Sequence, residues 1–574
     1  MLDLVIRNGL VVDGSGGQPF AADVGIRDGI IVEVGRITAD AVEEIDARGH
    51  IVTPGFVDIH THYDGQVIWD THLRASSAHG VTTVVTGNCG VGFAPCRATD
   101  RERMYALMEG VEDIPEVVMA KGLTWEWESF PEYLDAIERR PHDIDVAAML
   151  PHSPMRVYVM GERGANREPA TDDDMARMKD ITREAMEVGA LGFGTSRLIL
   201  HRTREGSLIP SYDAGAMELN AIMSGIRESG RGVVQAVLNL GAGVDFDKEF
   251  GVFTDMVTNA ERPASYSLAQ TWDAPDLWKR ALELTEEAND KGLEVRAQVI
   301  GRPTGLLYGL DLSFHPFCRH PSYMEIADLP LAERVARMRA PQLRERILAD
   351  EQRADDDFPL LALLNRFEWM FPMGDPPIYE PAPELSIAAQ AQAQGRTPYE
   401  VVYDLLLEDD GQAIIFQAVA NYVEGNLNVV REMLSNRHTL LGLGDGGAHY
   451  GVISDSSYPT FMLTYWGRDR KDSVLSVQEI VRKLTADPAH AVGLHDRGHI
   501  AAGYKADLNV IDFDKLRLAP PQVHHDLPAG GKRLMQGARG FRATIVSGVI
   551  IQRDGEATDA LPGRLVRGAQ PVPA

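Results

Sequence analysis

Two histidines stand two residues apart at the end of the first long apolar run of the chain. The segment PGFVDIHTHYD, residues 54–64, carries His60 and His62. Residues i and i+2 of a strand point to the same side, so both imidazoles can reach one ion. This pair, placed where a buried strand ends, predicts the first two ligands of a metal site.

A thiol and a carboxylate also follow apolar runs. Cys89 lies in the glycine-rich turn of GVTTVVTGNCGVGFAP, residues 80–95, and Asp445 lies between glycines in LLGLGDGGAH, residues 440–449. A thiolate is a good zinc ligand, and a carboxylate can bind metal or act as general base toward a metal-activated water. Taken alone, Cys89 could be a small buried apolar residue and Asp445 a helix cap. Together with the two histidines, they predict metal-assisted hydrolysis.

The elements that must position these residues alternate along the middle of the chain. Apolar strand-like runs are separated by segments with apolar residues at three- and four-residue spacing, such as 171–189 and 275–292. This alternation predicts an α/β fold whose parallel sheet closes into a (β/α)8 TIM-like barrel, with its chemistry at the carboxyl ends of the strands. A barrel needs eight strands, so one run is extra, and we expect it to be 413–420. The nine runs are 51–60, 80–87, 144–151, 189–196, 232–239, 264–270, 293–300, 413–420 and 439–445.

Both ends of the chain show the shorter alternation of half-buried strands. LVIRNGLVVDG near the N-terminus is similar to TIVSGVIIQRDG near the C-terminus. We therefore expect residues 1–53 and 499–574 to form a small β-sandwich, with residues 54–498 inserted between them as the barrel. The irregular stretch 303–411 is expected to be an insertion over the barrel mouth, where it would act as a lid or specificity element.

Charge and composition narrow the class of protein. The formal net charge is −28, which would repel a polyanion, so we expect no nucleic acid among the partners. The three cysteines do not form a disulfide pattern, the first residues do not read as a signal peptide, and no run of about eighteen apolar residues predicts a membrane helix. These features favour a cytoplasmic enzyme with a small-molecule substrate. Self-association into a homo-oligomer stays open.

The motifs resemble those of the amidohydrolase superfamily, and within it the N-acyl-D-amino-acid deacylases (D-aminoacylases). The resemblance extends from Met1 to about Gly555 and is weakest across 303–411. It implies a (β/α)8 barrel with a flanking β-sandwich and a zinc site. His60, His62, Cys89 and Asp445 would then be metal ligands, with Asp445 also carrying the proton. The similar stretches are NGLVVDGSG, PGFVDIHTHYD, the GNCG turn, MLPHSPMRVYVMG, GALGFGTS, GDGGAH and HDRGHIAAGYKADLNVID.

The chain departs from that family at the second metal position. The family takes one histidine from the fifth barrel strand and one from the sixth, whereas these strands read GVVQAVLN and ASYSLAQ here and carry Gln235 and Gln270. A neutral amide is a poor ligand beside imidazole. We therefore expect one Zn²⁺ ion, held by His60, His62 and Asp445, with Cys89 as a further ligand or a nearby thiol. The second metal site is doubtful.

Several other polar residues are expected to contact substrate. His201 and His449 follow barrel strands, and replacement metal ligation is the alternative for both. His152 and Arg156 lie just after the third strand and could bind a carboxylate or carbonyl; the alternative is a loop histidine and a solvated arginine. Gln235 completes this substrate-binding set.

The predicted reaction is hydrolysis of a linear amide bond, in an N-acyl amino acid or a related amide such as an N-acyl-D-amino acid. Asp445 would take a proton from water and pass it to the departing nitrogen, while the metal and His201 would stabilise the oxyanion. One alternative is a cyclic-amide or carbamate hydrolase on the same barrel. The other is a non-catalytic amidohydrolase-like scaffold, which would have no need to keep His60, His62, Cys89 and Asp445 together.

Overall fold

The computed structural model describes residues 1–351, 363–472 and 475–573. Eight parallel strands, β1 to β8, pair in chain order around a barrel. A parallel bridge between Thr61 and Gly446 closes the circle, and the Asp445 N–H donates to the His60 carbonyl at 3.1 Å. The predicted barrel is confirmed. The strands β1 to β8 are Phe56–Asp58, Val81–Thr86, Asp145–Pro151, Gly192–Ser196, Val233–Val237, Ala264–Ser267, Val295–Val299 and Thr439–Leu441.

Helices follow the barrel strands and pack apolar faces against them. The predicted helix at 171–189 is Asp172–Val188, which begins at a Thr171–Asp174 capping box and ends at Gly189, whose φ is 110°. Among the described residues, no helix is both long enough and apolar enough to cross a membrane. Other helices around the barrel are Arg101–Glu112, Glu116–Gly122, Phe130–Glu138, His152–Met160, Ala216–Ser229, Phe246–Ala260, Leu277–Asp290, Asn428–Ser435, Val477–Leu484 and Ala486–Ala491.

The single strand predicted over 51–60 was wrong, because the chain changes sheets at Gly55. Ile51–Pro54 belongs to the terminal sheet, whereas β1 begins at Phe56. The Gly55 N–H donates to the backbone carbonyl of Asp507 at 2.7 Å, and the Phe56 N–H donates to that of Gly80 at 3.0 Å. A Cβ at Gly55 would lie 2.2 Å from the hydroxyl of Thr82, so only glycine fits this crossing.

Strands from both ends of the chain form one nine-stranded sheet with its own apolar core, which is the expected terminal β element. The two halves meet where Ile51–Pro54 pairs antiparallel with Leu508–Ile511. Part of the C-terminal segment also contacts the barrel, since the Val566 N–H donates to Val146 at 2.7 Å. The boundaries 1–53, 499–574 and 54–498 stay predictions. The other strands of the sheet are Leu2–Val11, Phe20–Arg27, Ile30–Gly35, Ala41–Asp46, Phe541–Val546, Val549–Arg553 and Glu556–Ala557.

The run at 413–420 lies outside the barrel, as predicted. Ile415–Ala420 is the middle strand of a small antiparallel sheet with Thr304–Tyr308 and Met370–Pro372. This sheet and the surrounding helices of the 303–411 region bury a second apolar core. The role of this insertion as a lid stays a prediction. Its helices are Pro321–Met324, Leu331–Met338, Pro341–Ala349, Ile387–Gln394 and Pro398–Leu406.

Candidate metal centre

Three barrel strands deliver four metal-type side chains to one place. His60 and His62 follow β1, Cys89 lies in the tight turn after β2, and Asp445 lies in the glycine-rich segment after β8. Cys89 and Asp445 both have left-handed backbone, with φ of 55° and 47°. Such backbone is costly for residues other than glycine and concentrates at functional sites. The order of the strands around the barrel therefore joins residues that are far apart in the sequence.

Ligand atoms of His60, His62 and Cys89 lie within 4.8 Å of one another, and Asp445 lies beside both histidines. The Cys89 sulfur lies 3.4 Å from His60 Nε2 and 3.8 Å from His62 Nε2. Asp445 Oδ1 lies 3.6 Å from each of these nitrogens. Ligand atoms about 2.0–2.3 Å from a tetrahedral zinc ion are separated by roughly 3.3–3.6 Å. The donor set of two imidazoles, a thiol and a carboxylate thus fits one zinc ion.

The far nitrogen of each imidazole faces an oxygen. His60 Nδ1 lies 2.7 Å from Gln298 Oε1 on β7, and His62 Nδ1 lies 3.3 Å from Glu112 Oε1. A partner on Nδ1 fixes the ring orientation and leaves Nε2 for the metal. Glu112 was not found from the sequence, because it is one of 84 acidic residues and its helix carries no motif.

Burial and mutual charge shift the pKa values of the four clustered side chains. Burial lowers the pKa of His60 to about 4 and raises the pKa of the Cys89 thiol to about 12. Burial also opposes the charged form of His62, but the carboxylate of Glu112 raises the pKa of His62 well above its ordinary value. The pKa of Asp445 is lowered despite burial, since both histidines favour its ionised form. A bound cation would favour the thiolate of Cys89, which the isolated cluster disfavours.

His201, His449 and Gln235 surround this cluster. The His201 ring is hydrogen-bonded to the Ser196 hydroxyl at 2.8 Å, and burial lowers its pKa to about 3. Burial likewise lowers the pKa of His449 to about 4. Gln235 Oε1 accepts the Cys89 N–H at 3.2 Å, while its buried Nε2 has no hydrogen-bond partner among the described residues. Two neutral imidazoles and an amide therefore lie beside the metal-type residues.

His152 and Arg156 form a separate buried group. Glu218 Oε1 lies 3.0 Å from His152 Nε2 and accepts the Arg156 Nε–H at 2.8 Å. The remaining Arg156 donors reach backbone carbonyls of Gly164, Pro210 and Glu168. These contacts occupy the polar atoms inside the protein, and the predicted role in substrate binding stays a prediction that none of them supports.

Gln270 also lies apart from the cluster. Its Nε2 donates to the carboxylate of Glu424 at 2.9 Å, and its backbone N–H donates to the Asn421 side chain at 2.7 Å. On the neighbouring strand, Gln235 is paired in register with Ser265.

A closed parallel barrel with imidazole, thiol and carboxylate groups at the carboxyl ends of its strands defines the class of metal-dependent barrel hydrolases. Residues 43–552 match the amidohydrolase family. The chain belongs to this family and is a hydrolase of C–N bonds other than peptide bonds.

Curated relatives are similar along most of their length. An uncharacterised protein of Mycobacterium tuberculosis is 28% identical over 593 residues, covering 96% of this chain and 92% of the relative. The D-aminoacylase of Alcaligenes xylosoxydans xylosoxydans is 26% identical over 518 residues, covering 89% of this chain and 88% of the relative. The N-acyl-D-glutamate deacylase of the same organism is 26% identical over 528 residues, with the same two coverages.

Solved structures share the fold. A D-aminoacylase described with a binuclear metal centre has a TM-score of 0.66 at 22% identity, covering 99% of this chain and 100% of its own. The N-acyl-D-glutamate deacylase of Bordetella bronchiseptica, solved with zinc and a phosphonate inhibitor, has a TM-score of 0.63 at 22% identity, covering 99% of each chain. A D-hydantoinase from Thermus sp. gives 0.51 at 15% identity, covering 98% of this chain and 99% of its own. The deacylases are thus more similar to this chain than that cyclic-amide hydrolase is.

Proposed function

We propose that this amidohydrolase is a zinc-dependent deacylase of N-acyl amino acids, with N-acyl-D-amino acids as the favoured class. The observation that carries the proposal is the convergence of His60, His62, Cys89 and Asp445 within 3.4–3.8 Å contacts at the carboxyl ends of the barrel strands. The deacylase relatives support the choice of a linear amide over a cyclic amide or a carbamate.

These four residues would hold the zinc ion. The bound ion would supply Lewis-acid chemistry, polarising the amide carbonyl and making water more acidic. Gln298 and the carboxylate of Glu112 orient the two imidazoles so that their Nε2 atoms face Cys89 and Asp445. A single ion is proposed, because the fifth barrel strand carries Gln235 beside Cys89 and an amide competes poorly with imidazole as a ligand.

Asp445 is the proposed general base and acid. Its side chain is about one-fifth exposed, unlike the nearly buried histidines, so it can reach both the metal-type residues and substrate. Its lowered pKa keeps it ionised at neutral pH, ready to accept a proton from water and deliver it to the departing nitrogen. The neutral imidazoles of His201 and His449 lie nearby and can donate hydrogen bonds to the oxyanion or to substrate.

Elemental analysis of the purified protein tests the metal site directly. We expect about one zinc per chain, with amide hydrolysis lost on chelation and restored by zinc. Cys89→Ser should bind zinc more weakly, whereas Cys96→Ser is the matched control. Cys96 is another buried thiol, and its sulfur contacts the Arg97 carbonyl at 3.3 Å. Wild-type zinc content in Cys89→Ser would remove Cys89 from the ligand set.

Asp445→Asn separates chemistry from folding. The amide keeps the size of the side chain but cannot accept the proton, so turnover should be abolished while the far-ultraviolet circular dichroism stays unchanged.

A matched pair of N-acyl-D- and N-acyl-L-amino acids, assayed beside a hydantoin and a dihydropyrimidine, tests the substrate class. Faster hydrolysis of a ring substrate than of either acyl amino acid would overturn the assignment.

We also propose a cytoplasmic setting with a small-molecule amide as the only class of partner required. The support is the reduced thiol that Cys89 must keep to serve as a ligand, since thiols stay reduced in that compartment. The formal net charge of −28 argues against a nucleic-acid partner. Light scattering of the purified protein would decide whether it forms a homo-oligomer.

A further inference from the structure

One buried carboxylate, that of Glu112, lies close to two histidines of the candidate site, His62 and His449. Glu112 is the last residue of helix Arg101–Glu112 and is 1% exposed. Its Oε1 lies 3.3 Å from His62 Nδ1, and its Oε2 lies 3.6 Å from His449 Nε2. The Glu112 carbonyl also accepts the His449 N–H at 2.5 Å. One residue thus contacts both the segment after β1 and the segment after β8.

This position is unfavourable for a carboxylate unless it has partners. Burial penalises the ionised form, and the C-terminal end of a helix carries partial negative charge that repels an anion. Neither Glu112 Oε2 nor His62 Nδ1 makes a hydrogen bond among the described residues, so the compensation for the carboxylate is the electrostatic attraction of the two imidazoles at 3.3 Å and 3.6 Å. A side chain placed at such a cost is more consistent with a role in the site than with packing alone.

Asp113, the next residue, holds the same end of the helix in place but is not in contact with His62. Asp113 Oδ2 accepts the Gly451 N–H at 2.9 Å and the Ser313 hydroxyl at 3.0 Å. Glu112 and Asp113 therefore share the contact with the segment after β8, but only Glu112 faces His62. Variants of these two residues can therefore distinguish an effect on the orientation of His62 from an effect on the position of the helix end.

We propose that Glu112 is a positioning residue of the metal centre, which orients His62 through Nδ1 and holds His449 over the site through its second oxygen. The inference rests on the proposed zinc site and adds a residue that acts through the histidines instead of binding the metal itself. The 3.3 Å approach of the Oε1 carboxylate oxygen favours a proton on Nδ1 of His62, which leaves Nε2 to face the metal. The same carboxylate restrains the segment that carries Asp445 and His449.

The test measures zinc affinity by competition with a chromophoric chelator, and the visible spectrum of the cobalt(II)-substituted protein. Glu112→Ala should weaken zinc binding roughly 10- to 100-fold, the usual effect of removing a partner of a metal-bound histidine. Its cobalt bands should shift, because His62 is no longer held in one orientation. Glu112→Gln keeps an acceptor oxygen and should lose less affinity than Glu112→Ala.

Asp113→Asn is the matched control and should keep the wild-type zinc affinity and cobalt spectrum. Wild-type values in Glu112→Ala would overturn the inference, and so would an equal loss in Asp113→Asn, which would mean that the helix end matters only structurally. If Glu112→Ala does not fold, Glu112→Gln decides, and an unchanged affinity and spectrum there count against the proposal. A wild-type protein that binds neither metal would overturn the proposed function together with this inference, which distinguishes the two failures.

Discussion

Replacing Arg497 by methionine should destabilise the protein strongly without touching the metal centre. Arg497 is 3% exposed and lies where the terminal sheet meets the amino-terminal end of the barrel strands. Its Nη1 donates to Asp145 Oδ2 on β3 and to the Thr83 hydroxyl on β2, both at 2.8 Å. Lys505 also reaches Asp145 Oδ2, at 3.1 Å. Methionine fills a similar volume but leaves Asp145 with one cation instead of two.

The expected loss follows from these contacts. Removing one partner of a buried ion pair costs about 3–5 kcal/mol, and the remaining Lys505 places this case near 3 kcal/mol. The unfolding entropy of about 2.1 cal/mol/K per residue amounts to about 1.2 kcal/mol/K for 574 residues. If the chain unfolds as one unit, the melting temperature should fall by about 2–3 °C.

The effect should depend on pH in one direction. Burial opposes the ionised form of Asp145, but Lys505 and Arg497 together lower its pKa below the ordinary value. A group of this kind stabilises the folded state above its unfolded pKa of about 3.9, and that stabilisation is lost as the pH falls through the folded value. The difference between the wild type and Arg497→Met should therefore be constant from pH 7 to about pH 5 and shrink in stronger acid.

Differential scanning calorimetry and urea unfolding measure the change. Lys279→Met is the control, because Lys279 pairs with Asp276 at 2.7 Å on the surface, where the two side chains are 57% and 80% exposed. Its effect should stay within about 0.5 kcal/mol. Adding Asp145→Asn to Arg497→Met should recover part of the stability, since Lys505 alone no longer has to offset the burial of the Asp145 charge. A loss below about 0.5 kcal/mol in Arg497→Met would refute the reasoning.

Three further predictions concern the metal centre. Gly444→Ala should weaken zinc binding at least about 10-fold in a folded protein, because its Cβ would lie 2.1 Å from Asp58 Oδ2 and displace the adjacent Asp445; equal zinc affinity by chelator competition would contradict this. Zinc at about 100 times its dissociation constant should stabilise the protein by about 2.7 kcal/mol in thermal unfolding, whereas magnesium should have no comparable effect. Zinc affinity should also fall from pH 8 to pH 6, since protons compete for His62, whose pKa is raised; a flat profile would exclude His62 as a ligand.

The convergence of His60, His62, Cys89 and Asp445 could be predicted because the information for it is local, whereas their role as metal ligands stays a prediction. The spacing of His60 and His62 at the end of a strand places both on one side. Cys89 and Asp445 also end apolar runs, and a parallel barrel brings the carboxyl ends of all its strands to one face. Once the alternation of strands and helices indicated the barrel, these residues were expected to meet. The exclusion of 413–420 from the barrel followed from the same count of strands.

The strand boundary at Gly55 and the position of Glu112 beside two histidines depend on long-range contacts. The spacing of residues in the sequence does not reveal such contacts. The break at Gly55 depends on its close approach to Thr82 and on a hydrogen bond to Asp507, which is distant in the sequence. Similarly, Glu112 ends a helix with no motif and meets His62 and His449 only because the helix packs against both segments. The local sequence pattern thus determined the elements and which four side chains converge at the barrel mouth. Long-range packing decided where the chain changes sheets and which carboxylate lies next to His62 and His449.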